Sequence, residues 1–290
     1  MASVERLVET FALERIEVNL FRGFTHDPQR DRIFGGQVIS QALLAAHQTV
    51  EGRVCHSLHC YFIRPGDPSI PILFEVDRAR DGGSFTTRRV VAIQHGQQIF
   101  NLAASYQADE QGLEHQAPMP EAEAPESMPD EHETIRKMME AASTPLPVHA
   151  IGPHPVEIRS RDSISWRGTM GREPKYAMWF RAREPIGDQP HMHQVVMAYA
   201  SDMSLLGTAL RPHAIGFPAP NLQMASLDHA MWFHRPSNFN DWHLYVHDSP
   251  SASGGRGFVR GSIYTQDGTL VASVAQEGLI RLRQPKRPAG

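Results

Sequence analysis

The sequence predicts an α+β protein built of two tandem units, each a long apolar helix wrapped by an antiparallel sheet. Three observations predict it. FGGQVISQALLAAHQTV, residues 34–50, has two glycines followed by Val38, Ile39, Ala42, Leu43 and Ala46 at helical spacing. Strand-like runs follow it in hairpin order: SLHCYFIRP, ILFEVDRAR, FTTRRVVAIQHG and QQIFNLAASYQ. The whole pattern then returns about 170 residues later, too long a period for a solenoid and the mark of a duplicated domain.

Taken in order, RIEVNLFRGF reads as a first strand with Ile16, Val18 and Leu20 on one face, and the helix and four strands come next. These make a first unit over 1–107. Residues 108–155 hold eight prolines and many carboxylates, with one short amphipathic helix near DEHETIRKMMEAA. They read as a linker packed over the surface. A second unit over 156–290 repeats the first: VEIRSRDS and YAMWFRAREP as strands, HQVVMAYASDMSLLGTAL (193–210) as the helix, then MASLDHAMWFHRP, WHLYVHDSP, GFVRGSIYTQDG and TLVASVAQEGLIRL. SLHCYFIRPGDPS (57–69) matches SLDHAMWFHRPSN (226–238), with two extra residues before the second Arg-Pro. DGGSFTTRRVVAIQHGQQIFNLAAS (81–105) resembles SGGRGFVRGSIYTQDGTLVASVAQE (253–277). Two such units are expected to join their sheets edge to edge, covering edges that would otherwise stay open.

Composition narrows the function. The 290 residues suffice for two domains and a sizeable core. A net charge of −4 gives no global case for nucleic acid. No apolar run reaches the roughly 20 residues of a membrane span. The acidic N-terminus lacks the basic and apolar regions of a secretory signal. Two cysteines, Cys55 and Cys60, suit a reducing compartment. They lie in CHSLHC, where regular alternation puts Cys55, Ser57 and His59 on one face and His56, Leu58 and Cys60 on the other. Donors so divided cannot close one tetrahedral metal site, and HMH (191–193) has no further ligand pattern. No metal and no cofactor are expected. GRGFVRG (255–261) has its third Gly one residue late for dinucleotide binding and lies among strands.

Ser226, Asp228 and His229 invite comparison with a hydrolase triad. No Gly-x-Ser-x-Gly elbow is present, and alternation points Ser226 and Asp228 one way and His229 the other, so a triad within this strand is disfavoured. His213 and His234 are possible remote bases, and nothing selects either. Asp202 stands out instead. It lies with Val195, Tyr199 and Leu206 on the apolar side of the expected helix, where a carboxylate is costly unless bonded. It either stabilises the interior through nearby hydroxyls or orients and deprotonates a water. Gln276 shares a face with Leu270, Ala272 and Val274, as a satisfied core amide or a site residue. Arg88, Arg89, Arg256 and Arg260 are either solvated strand residues or contacts for phosphates. Trp232 and Phe233 read as core.

FGGQVISQALLAA, HSLHCYFIRPGD, YASDMSLL, MASLDHAMWFHRP, SGGRGFVRGSIYTQDG and LVASVAQEG, in this order, resemble the acyl-CoA thioesterase II family. The resemblance spans nearly the whole chain apart from the linker and the last few residues. It implies a double hotdog fold and hydrolysis of acyl-CoA thioesters to free acid and coenzyme A. It also implies a catalytic trio: the Asp of YASD, the hydroxyl of ASLDH and the Gln of VAQEG, here Asp202, Ser226 and Gln276. Ser stands where some members carry Thr, which keeps the hydroxyl and loses a methyl that restrains the rotamer. The trio suits direct attack by a held water, with the carboxylate taking its proton. Gly35-Gly36, at a helix start, is either an oxyanion donor or a tight connection. Ala104 falls opposite Gln276, and the first helix offers Ser40 and Gln41 but no carboxylate, so one active site per chain is expected. An enoyl-CoA hydratase on the same fold and a non-catalytic acyl-CoA binding protein are the alternatives. The expected partner is an acyl-CoA substrate, with no nucleic acid and no membrane, in a homodimer or homotetramer. RQPKRPAG lacks a Ser-Lys-Leu ending, and a cytoplasmic location is expected.

Overall fold

The computed structural model describes residues 9, 11–25, 31–141, 155–162, 171–215, 219 and 221–283. Residues 1–8, 142–154 and 284–290, which the readings of the two termini and the linker include, lie outside these.

One antiparallel sheet runs through both units. Its strands are β1 (Glu14–Glu17), β2 (Leu20–Gly23), β3 (Val54–Phe62), β4 (Ile72–Asp81), β5 (Phe85–Gln94), β6 (Gln97–Gln107), β7 (Val156–Arg159), β8 (Lys175–Ala182), β9 (Leu222–Ser226), β10 (Asp228–Phe233), β11 (His243–Ser253), β12 (Arg256–Thr265) and β13 (Leu270–Leu282). The order is β1-β2-β4-β5-β6-β3-β10-β13-β12-β11-β8-β7, with β9 also on β13. The halves meet where β3 pairs antiparallel with β10, Tyr61 opposite Asp228 and His59 opposite Ala230. Each half thereby covers the other's edge.

Helix α1 (Gly35–His47) is buried on almost every side, because the sheet wraps it and α3 (Pro190–Ser201) lies along it. The two helices run antiparallel. Ser40 Oγ donates to the Val195 carbonyl at 3.0 Å near their middle, and His47 stacks on His191 at 4.3 Å at one end. At the other end a Cβ on Gly36 would stand 2.4 Å from the Tyr199 carbonyl, so only glycine permits this approach.

Four expectations are corrected. The helix drawn over 193–210 is shorter and starts earlier. Pro190 opens it, and it ends at Ser201, with Ser204 in left-handed backbone (φ 64°). Leu206–His213 form a separate 3-10 segment. Its buried Leu206, Ala209 and Leu210 continued the apolar content across the break. The strand drawn through RIEVNLFRGF is two strands turning at Val18-Asn19, which leaves Ile16 and Val18 exposed.

The third correction is in register. Arg64 and Arg235 donate their backbone N–H to Ile99 and Val271 in the same manner, so β3 and β10 match at their Arg-Pro ends. Ser226 is therefore the counterpart of Cys55, not of Ser57. The fourth is strand parity. A β-bulge interrupts the β3–β6 pairing between Cys55 and Ser57, so both thiols point inward while His56 and His59 lie outward or at intermediate depth. The cysteine and histidine donors are still divided between faces, though differently. Among the described residues no three His, Cys, Asp or Glu group as metal ligands.

The described linker crosses the outer face of the second half. Gln116 bonds the Gly268 carbonyl and the Leu270 N–H, and Trp179 Nε1 donates to the Glu123 carbonyl at 2.7 Å. Helix α2 (Glu131–Ala141) follows, and its Glu131 accepts from Tyr176.

Candidate active site

Asp202, Ser226 and Gln276 converge from three elements. Asp202 follows the last turn of α3 as its C-cap. Ser226 ends β9, and Gln276 lies mid-strand in β13. Gln276 Nε2 donates to Ser226 Oγ at 2.7 Å and to Asp202 Oδ1 at 3.1 Å, and Ser226 Oγ donates to the same Oδ1 at 3.3 Å. The three side chains close a triangle. Gln276 is 1% exposed, whereas Asp202 and Ser226 keep part of their surface open.

Burial raises the Asp202 pKa to about 6, against the opposing pull of Gln276, Ser226, the Gly36 N–H and Arg32. The Gly36 N–H comes from the other half. The first turn of α1 thus faces the carboxylate with its positive end. Gly35-Gly36 is not the tight strand-to-helix connection offered above, since β2 ends at Gly23; the two glycines allow a close approach to the second half instead. A Cβ on Gly35 would lie 2.7 Å from Asp202 Oδ2.

Strand alternation misplaced His229. Ser226 pairs with Gly278 and Ala230 with Ala275, which leaves Leu227 and Asp228 facing the single residue Glu277. This bulge flips the parity, so Ser226 and His229 share the inner face. Asp228 closes the bulge, its Oδ1 accepting the Glu277 N–H at 2.7 Å. Fully buried, His229 shares a 2.9 Å hydrogen bond between Nδ1 and Gln276 Oε1, and its Nε2 lies 3.0 Å from Ser201 Oγ. Burial lowers its pKa to about 4, so the ring is neutral at pH 7. The sequence signal available was a His among Met231 and Phe233 in the core of β10.

The other candidates lie elsewhere. His213 and His234 are exposed, and His234 bonds Ser273. Arg88 is buried and spends all five donors on Thr49, Arg80, Thr87 and Asp81. Arg256 pairs with Glu277 and Arg260 with Asp248, while Arg89 is exposed. Phe233 is core, but Trp232, read as core from the sequence, is exposed on the outer face of β10 against the His59 ring.

At the opposite end of the helix pair, the positions related to the trio carry different chemistry. His47 faces His191 as Asp202 faces Gly36. Cys55 matches Ser226, and Ala104, opposite Leu58, matches Gln276.

Two protein-family profiles match the chain: acyl-CoA thioesterase over residues 150–279, and acyl-CoA thioesterase N-terminal domain over residues 25–107. The chain is 39% identical to acyl-CoA thioesterase 2 of Haemophilus influenzae over 97% of its own length and 99% of that protein. It is 42% identical to human acyl-coenzyme A thioesterase 8 over 93% of this chain and 87% of that one. The crystal structure of an acyl-CoA thioesterase II from Mycobacterium marinum superposes with a TM-score of 0.77 at 41% identity, covering 98% of this chain and 99% of that one. With its two sheet-wrapped helices joined through β3 and β10, the chain has the double hotdog fold and belongs to the acyl-CoA thioesterase II family.

Proposed function

We propose that this protein hydrolyses acyl-CoA thioesters to free acid and coenzyme A, with Asp202, Ser226 and Gln276 as its catalytic residues. The hydrogen-bonded triangle they form carries the reading. A water set between Asp202 and Ser226 attacks the thioester carbon. Its proton passes to Asp202 as the new C–O bond forms. The C–S bond then breaks, Asp202 returns that proton to the departing sulfur, and coenzyme A leaves as the thiol beside the free acid. Gln276 holds the other two groups at fixed distances, so little ordering remains for the reaction to supply. A carboxyl that titrates near 6 is charged at neutral pH and still a competent base.

Thiol release from decanoyl- and palmitoyl-CoA, followed with a thiol-reactive dye, tests this. Steady release that Asp202→Asn abolishes is the expected result. Hydration of an enoyl-CoA without thiol release would assign a hydratase instead. Tight binding with no product would leave a binding protein. The sequence division at 1–107, 108–155 and 156–290 fits the same reading: the second unit supplies all three catalytic groups and the first supplies wall.

A further inference from the structure

The buried polar chain behind Gln276 continues past the trio. Gln276 Oε1 meets His229 Nδ1, His229 Nε2 meets Ser201 Oγ, and Tyr245 Oη donates to the Ser201 carbonyl at 3.0 Å. Polar groups sealed this deep cost stability unless each is bonded, so a chain of them calls for a reason.

The same molecule holds a comparison. Counting along the paired ladders, the first half puts Leu58 where the second has His229, Ala104 for Gln276 and Phe74 for Tyr245. Along the crossing helices, Ala46 stands for Ser201. All four are buried and apolar. The fold therefore packs well at these positions without polar groups. The half that carries the trio has the polar chain, and the half without the trio does not.

The geometry also fixes which way the amide faces. A neutral imidazole has one donor and one acceptor. If His229 Nδ1 accepted, the Gln276 amide would turn round and set its oxygen 3.1 Å from Asp202 Oδ1, two acceptors with no proton between them. An ionised Asp202 rejects that arrangement. Nδ1 therefore carries the hydrogen and donates to Gln276 Oε1, and the one hydrogen of the Ser201 hydroxyl, whose Oγ also lies 2.9 Å from the Ala198 carbonyl, turns to Nε2 as the acceptor left on the ring.

We propose that His229 is a positioning residue for hydrolysis: its Nδ1–H locks the Gln276 amide with the NH2 toward Asp202 and Ser226. This rests on the catalytic reading above. The groups around the ring are Ser201 and Asp202 from α3, Gln276 from β13, Cys60 from β3, whose thiol donates to the His229 carbonyl, and Tyr245 from β11. No cation is among them.

The test is steady-state kinetics on decanoyl-CoA. His229→Leu, the residue the first half uses, is expected to lower kcat by about 10–100-fold, the scale for losing a group that orients a ligand. KM stays within about twofold. His229→Asn, which keeps an N–H near the Nδ1 position, recovers most of kcat, and His229→Gln, whose amide sits further out, does not. In a Gln276→Ala background His229→Leu costs less than about twofold more, because the amide it oriented is gone. An equal loss in both backgrounds, or an unchanged kcat in His229→Leu, overturns the proposal. Should His229→Leu fail to fold, His229→Asn and His229→Gln carry the same comparison. Asp202→Asn is run alongside: undiminished turnover there sinks the catalytic reading itself, whatever His229 does.

Discussion

Asp202→Asn is expected to make the protein slower and more stable at once. The carboxyl rises from 3.8 to about 6 on folding because burial disfavours its charged form. Between those values the folded state binds more protons than the unfolded one, so stability falls as pH rises from about 4 to 6. The full cost stands above pH 6. A shift of about two units is worth about 3 kcal/mol. Asparagine removes the charge and keeps an oxygen for Gln276 and Ser226, while one acceptor, toward Gly36, is lost at about 1 kcal/mol. The net gain is about 2 kcal/mol at pH 8, roughly 3 °C in Tm for a chain this long. At pH 4 the gain vanishes. Turnover falls by about 100-fold or more, the scale for losing a catalytic base. Calorimetry at pH 8 and pH 4, beside thiol release, measures both. A variant that melts lower than its parent at pH 8 would refute the electrostatic argument. A loss of turnover under about threefold in a folded variant would refute the catalytic one.

Three more outcomes are expected. The kcat/KM for decanoyl-CoA should rise with pH through a midpoint near 6, since only the ionised Asp202 accepts a proton; an acid limb centred below pH 5 would exclude it as the base. Ser226→Ala should lower kcat by about 10–100-fold, and Ser226→Thr should stay within a few-fold of the parent, because the hydroxyl is what Asp202 and Gln276 share; equal activity in the alanine variant would remove Ser226 from the site. Gly35→Ala puts a methyl 2.7 Å from Asp202 Oδ2, which should cost about 1–3 kcal/mol in denaturant melts and at least tenfold in kcat; parental values on both counts would mean that the helix start yields freely.

Much of this was legible in the sequence, and the failures have physical causes. Hydrophobic periodicity found both helices and the core strands, because each element buries one face or all faces. The duplication was visible because both copies keep their Gly-Gly hairpins and Arg-Pro exits. Asp202 and Gln276 were visible as polar residues on apolar faces. The bulges at 55–57 and 226–228 were not, since an extra residue leaves no compositional mark and reverses parity beyond it. That reversal misassigned Cys55 and His229. The break after Ser201 was hidden because the apolar residues beyond it pack on the strands of the second half instead of continuing the helix. The approach of α1 to Asp202 joins residues some 165 positions apart, which no local pattern encodes.

That approach has a consequence for dissection. All three groups assigned to catalysis lie in the second copy, yet the Gly36 N–H and the glycine gap that seat Asp202 belong to the first. A fragment of 156–290 would contain the whole trio and lack the N–H and the glycine gap that seat the carboxylate. The working unit is the apposition of the two copies, and neither is a module that can be transplanted alone.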